Sequence, residues 1–144
     1  MFAHLQSLWG PHTIDRFASM QNTQLLRFNA RWRDPQCEDV DCLRLPDAAW
    51  RREINYCNPQ WTALPTLAAK LGQAQAPATA VVPYWPNKTW YHVLHRLASP
   101  TVHFPATRDL FFPGRLGTHE GVGPPAWSIV AFRLAPPHGS TPDA

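Results

Sequence analysis

Between residues 53 and 97 the apolar positions change period twice, and each change reads as a strand giving way to a helix. Glu53-Ile54-Asn55-Tyr56-Cys57 reads as a strand that runs into Asn58-Pro59-Gln60-Trp61, where proline offers no N–H to a ladder. Trp61, Leu64, Ala68 and Leu71 then recur at helical spacing, with Pro65 near the start of the helix and Gly72 just past its end. The pattern repeats. Ala78 to Tyr84 is an apolar run centred on Val81 and Val82, and Asn87 is placed to cap a helix through His95, with Trp90, Val93, Leu94 and Leu97 on one face. Two consecutive strand-to-helix units imply parallel strands with right-handed crossovers, so the expected class is α/β.

The flanks are less periodic. Residues 1–11 carry some apolar character and stop at Leu8-Trp9-Gly10-Pro11, so they read as an N-terminal extension to a domain spanning 12–134. His12 to Phe17 alternates enough for a short first strand, leading into the small residues Ala18 and Ser19, where backbone can approach closely. A further strand runs through Leu26 to Trp32, Asp34-Pro35 marks a turn, and Pro46-Asp47 opens a half-turn that brings Trp50 towards the core. Thr101 to Phe104 and Ala126 to Leu134 read as two more strands, separated by a Gly- and Pro-rich segment, 113–125, read as a mobile loop. The tail, 135–144, has the composition of a disordered segment.

Composition narrows the class. A chain of 144 residues holds one domain, and 7 Trp, 7 Phe and 3 Tyr supply apolar surface for one core. Sixteen prolines with only 16% charged residues suit a piece of something larger better than a free-standing domain. The formal charge of +3, with basic residues at Arg27, Arg31, Arg33, Arg51 and Arg52, permits phosphate contact without demanding it. Cys37, Cys42 and Cys57 form no CxxC pair and read as free thiols of a reducing, intracellular compartment, cytoplasm or nucleus; no second Cys or His pair stands at zinc-ligand spacing. No apolar run approaches the roughly 20 residues that span a bilayer, so no membrane partner is expected.

One motif carries chemistry. In open α/β sheets the ligand sits outside the carboxyl ends of the strands, and Asn58-Pro59-Gln60-Trp61 holds such a position. An amide followed by proline and an aromatic suits methylation of an exocyclic amine, whose lone pair is delocalised into the ring. The Asn58 side-chain oxygen and the Pro59 carbonyl can each accept a hydrogen bond from that NH2, and Trp61 can stack on an extruded base. Asn-Pro is also a common turn former, and Trp61 reads equally as the first core residue of the next helix. His92, His95 and His103 lie near apolar faces, where packed or surface histidines outnumber catalysts.

The order of these elements resembles phage-type DNA adenine-N6 methyltransferases. The resemblance rests on Ile14-Asp15-Arg16-Phe17-Ala18-Ser19, Asp41-Cys42-Leu43, Asn58-Pro59-Gln60-Trp61, Val81-Val82-Pro83 with Trp90-Tyr91, Gly114-Arg115, and Trp127 to Phe132. It covers about residues 12–134. The wording Asp-Arg-Phe-Ala-Ser and Val-Pro-Tyr-Trp-Pro is most similar to the methyltransferase-like domain of DIRS-type retrotransposons, which follows reverse transcriptase and RNase H. The resemblance implies a small Rossmann-like fold, a mostly parallel sheet with helices on its faces, and S-adenosylmethionine as cofactor. It implies that Asp15, Phe17, Ala18, Ser19 and Asp41 border that cofactor, that Asn58, Pro59 and Trp61 are catalytic, and that Arg115 meets DNA. Neighbouring polyprotein domains are implied partners.

Two departures stand out. The family's second proline is Gln60 here, which restores a backbone N–H and loosens the loop, and Phe17-Ala18-Ser19 stands where larger methyltransferases carry a glycine-rich loop. Two functions therefore stay open: adenine methyl transfer, or a catalytically inactive module on the same fold that binds nucleic acid or organises a polyprotein.

Overall fold

The computed structural model describes residues 1–31, 35–105 and 128–134, and these form an α/β structure. The helices are α1 (Phe2–Trp9), α2 (Asp47–Arg51), α3 (Leu64–Ala74) and α4 (Thr89–Leu97). The strands are β1 (Ile14–Asp15), β2 (Asn29–Ala30), β3 (Asp39–Val40), β4 (Asn55–Cys57), β5 (Ala78–Pro83), β6 (Ala98–Phe104) and β7 (Ile129–Leu134). Single 3-10 turns occupy Cys42–Arg44 and Trp61–Ala63.

Five strands pair in the order β1-β4-β5-β7-β6. β1, β4 and β5 are parallel, with Asn55 opposite both Ile14 and Ala78, and β7 alone runs against its neighbours. β2 and β3 form a second, parallel pair. That pair continues the sheet. A parallel bridge joins Asp15 to Phe28, and the Asp15 and Ala18 N–H groups donate to the Arg27 and Asn29 carbonyls, each at 3.0 Å. Laterally the strands therefore read β3-β2-β1-β4-β5-β7-β6.

All six residues of β5 are buried, as a central strand covered on two faces requires. On one face α2, α3 and α4 contribute Trp50, Leu64, Leu67, Leu71 and Leu94, which pack with Cys57, Ala80, Val82 and Phe132. On the other face Leu5 of α1 packs with Tyr56, Val81, Ile129 and Ala131, and Phe2 meets Tyr56 edge-on at 4.8 Å. Residues 1–11 are thus no appendage; without α1 this face would lose its cover of Leu5, Phe2 and Trp9.

Several boundaries move. Gly72 lies inside α3, and the helix ends instead at Gln75, in left-handed backbone (φ 55°), whose N–H bonds the Leu71 carbonyl. Tertiary packing carries α3 past the glycine. Lys88, not Asn87, occupies the cap of α4, and the helix continues to Leu97. Trp61 sits in a 3-10 turn before α3 rather than on the helix's buried face. The expected first strand shrinks to Ile14–Asp15, and the one expected at 26–32 to Asn29–Ala30; Trp32 and Asp34 lie outside the described residues. So do the segment 113–125, with Arg115, and the tail 135–144. Among the described residues no helix is long and apolar enough to cross a membrane, the three cysteines are free, and no cluster of His, Cys, Asp or Glu could hold a metal ion.

Candidate active site

The chain leaves β1 to build β2 and β3 on one side, and returns to place β4 on the other. Parallel strands whose connections diverge leave a crevice at their carboxyl ends, which is where open α/β sheets bind ligands. A cleft of about 620 Å³ lies there. This size falls within the usual range for small-molecule sites. Its wall comes from the ends of four parallel strands: Arg16 to Ser19 after β1, Ala30 and Arg31 at β2, Asp41 to Leu43 after β3, and Asn58 to Gln60 after β4.

Residues separated by more than forty positions in the chain thus meet in one cavity. Phe17, Ala18, Ser19, Asp41, Asn58 and Pro59 all line it. Asp41 is exposed and has left-handed backbone (φ 54°), a conformation that costs a non-glycine residue on the order of 1–2 kcal/mol. That geometry turns the chain from β3 into the following 3-10 turn and leaves the carboxylate at the cleft.

Asn58 is half-buried and Pro59 buried. Among the described residues no donor is bonded to the Asn58 side-chain oxygen or to the Pro59 carbonyl, so these two acceptors stand side by side without a protein partner. Gln60 is different: its Oε1 accepts a hydrogen bond from the Arg31 guanidinium at 2.7 Å, tying the loop after β4 to the end of β2. Trp61 is 38% exposed and meets Trp85 edge-on at 5.2 Å. It is therefore a surface aromatic next to the cleft and not the core residue that the helical spacing allowed. Trp85 in turn packs near Trp90 at 6.3 Å and lies under the Lys88 ammonium.

Asp15 is 3% exposed and forms no part of the cleft wall. Its carboxylate accepts the Gln24 N–H at 3.0 Å and the Phe17 N–H at 3.4 Å, so it organises the turn that carries Phe17 to Ser19. Burial pushes this carboxyl up to about 7, against the two N–H groups that favour its ionised form.

Arg16 is the site residue that the sequence reading quoted but did not select. Its side chain is 3% exposed, yet it contributes to the cleft wall. Nε donates to Asn55 Oδ1 and Nη1 to Asn29 Oδ1, both at 2.7 Å, Nη2 donates to the Ala49 carbonyl at 2.9 Å, and the group lies 4.7 Å from the Trp50 ring centroid. The other basic residues differ. Arg27 is held by Glu38 and Glu53 at 2.7 and 2.6 Å and serves to join β2, β3 and β4 at the surface. His92, His95 and His103 are exposed on α4 and β6 and take no part in the cleft wall.

Comparisons of the chain with protein-family models, with curated proteins and with solved structures returned no match.

Proposed function

We propose that this chain is an S-adenosylmethionine-dependent DNA adenine-N6 methyltransferase-like domain of a retroelement polyprotein, on a small Rossmann-like methyltransferase fold. The observation that carries the reading is the shared cleft: Asn58 and Pro59 at the end of β4 face the same cavity as Phe17, Ala18, Ser19 and Asp41. The lateral order β3-β2-β1-β4-β5 is that of doubly wound nucleotide-binding sheets, and the cleft lies where the strand order reverses.

The wall fits the cofactor's chemistry. Phe17 offers an apolar surface and Asp41 an acceptor for ribose hydroxyls, within a volume of suitable size. When bound, S-adenosylmethionine supplies an electrophilic methyl group on a sulfonium. The Asn58 oxygen and the Pro59 carbonyl accept the two hydrogens of adenine's N6 amine and so fix the direction of its lone pair. In the transfer the methyl carbon's bond to sulfur would break as its bond to nitrogen forms and S-adenosylhomocysteine would leave; the positive charge would pass to nitrogen, where the same two acceptors would stabilise it more than they stabilise the neutral amine, and the surplus N6 proton would be lost to solvent. Trp61 holds the extruded base by stacking, a contact worth about 1–3 kcal/mol. No metal or general base of unusual pKa is required.

One observation favours the alternative of a nucleic-acid-binding or polyprotein-organising module without transfer. Gln60 replaces the family's second proline and bonds to Arg31 at the cleft. The deciding experiment incubates the purified chain with unmethylated DNA and tritiated S-adenosylmethionine. Label on adenine supports the enzyme; DNA retention without label supports the module.

A further inference from the structure

A guanidinium removed from water normally faces a carboxylate, because neutral acceptors satisfy its N–H groups without balancing its charge. Arg16 has no such partner: among the described residues no carboxylate lies within 4.0 Å of it, and all three of its hydrogen bonds end on neutral oxygens. A guanidinium carries five N–H donors, so two remain without an acceptor among the described residues. The group is also rigidly held. Asn55 is itself fixed by bonds from its Nδ2 to the Trp50 and Pro77 carbonyls, at 2.9 and 2.8 Å, and presents its oxygen to Arg16. Asn29 and the Trp50 ring fix the other sides. Glu53 and Glu38 act on it only through space, so Arg16, a residue of the cleft wall beside Phe17 and Asn58, carries a preorganised guanidinium with no directly bonded carboxylate among the described residues.

We propose that Arg16 is the anion-recognition residue of this cleft and receives the carboxylate of the cofactor's amino-acid half. The assignment rests on reading the cleft as an S-adenosylmethionine site. Its energetic logic is that the ligand brings a carboxylate into direct contact, where the described residues offer only neutral acceptors, so binding forms charge-assisted hydrogen bonds to a group already desolvated on folding. Asp41, at the far side of the chain reversal after β3, then keeps to the neutral hydroxyls. A free phosphate would satisfy the same guanidinium, so the test separates the two.

Calorimetry on the full chain would compare S-adenosylmethionine with decarboxylated S-adenosylmethionine, which differ only in the carboxylate, and would include AMP and inorganic phosphate. The expected result is binding of the decarboxylated compound roughly 10- to 100-fold weaker. In Arg16→Lys and Arg16→Met, checked for folding by circular dichroism, that ratio should shrink towards one. The comparison of ligands on the wild-type chain keeps the proposal testable if the variants do not fold. Equal affinity for the two compounds overturns the role of Arg16 and leaves the cofactor reading standing. Binding of neither overturns the cofactor reading and the proposal with it. Folded variants that keep the wild-type ratio, or AMP and phosphate binding more tightly than S-adenosylmethionine, overturn the assignment of a carboxylate to Arg16.

Discussion

Arg31 donates to Gln60 across 2.7 Å, and through this bond the end of β2 holds the loop that carries Asn58 and Pro59. The Gln60 side chain thus tethers this loop to the end of β2. Both partners are exposed, so the bond contributes at most about 1 kcal/mol.

Replacing Gln60 by proline tests what that tether does. The backbone at Gln60 (φ −61°) already suits proline, and among the described residues its N–H donates to no acceptor. Gln60→Pro should therefore fold normally and change stability by no more than about 1 kcal/mol in urea unfolding. Methyl incorporation should rise, because a rigid loop holds the Asn58 and Pro59 acceptors better. A fall in methyl incorporation at unchanged stability would show that the Arg31 bond is the better constraint.

On the proposed mechanism, Asn58→Ala removes one of the two acceptors for the charge that develops on nitrogen. The rate should drop by roughly 100-fold or more while affinity for S-adenosylmethionine stays near wild type. Single-turnover labelling together with calorimetry measures the two quantities separately. An equal loss in both would reassign Asn58 to cofactor binding.

Two tryptophans should behave oppositely. Trp61 is 38% exposed, whereas Trp50 is 0% exposed and donates its indole N–H to the Cys42 carbonyl at 3.0 Å. Trp61→Ala should leave the unfolding midpoint almost unchanged and weaken single-stranded DNA binding by about 1–3 kcal/mol. Trp50→Ala should cost about 3–5 kcal/mol of stability. Denaturation curves beside fluorescence anisotropy with a short oligonucleotide would reveal the contrast; a large stability loss for Trp61→Ala would make it a packing residue.

Two buried groups set opposing pH dependences. Burial holds the Asp15 carboxyl up at about 7, so between its ordinary value of 3.8 and that point the folded chain binds more protons than the unfolded one, and stability falls as pH rises. Burial, with the charge of Arg133, holds His12 down at about 4, so between that point and 6.5 the unfolded chain binds more protons, and stability rises with pH. The two nearly cancel from about pH 4 to 6.5 in wild type. Asp15→Asn, which keeps one of the two oxygens that accept the Gln24 and Phe17 N–H groups, should expose the His12 dependence as stability increasing over that window, by up to ~1.4 kcal/mol per pH unit, whatever its absolute stability. Urea unfolding at pH 4.5 and 6.0 measures it, and a flat response in the variant would contradict the assignment to His12.

The local pattern was enough for much of this architecture. Apolar runs at Ile54 to Cys57 and Ala78 to Tyr84, each followed by helical spacing, correspond to β4-α3 and β5-α4, because period and burial are the same information when one face of an element meets a core. The loop after β4 could be placed at a strand's carboxyl end for the same reason: proline at position 59 ends a ladder whatever surrounds it. Two-residue strands such as β1, β2 and β3 leave almost no periodic signal, since their pairing is decided by the neighbours they meet in the fold.

Tertiary structure alone decided three things. It placed α1 over the second face of the sheet, through contacts of Leu5 with residues more than fifty positions away that no local period encodes. It separated Asp15 from the cleft and put Arg16 there, although the two are adjacent in sequence, because successive residues of an extended chain point to opposite sides and only the assembled neighbours determine which side is occupied. It also brought Asp41 and Asn58 to one cavity. Sequence fixes which groups are present; parallel pairing of β1 with β4 on one side and β2 on the other fixes that their carboxyl ends, and the groups they carry, converge.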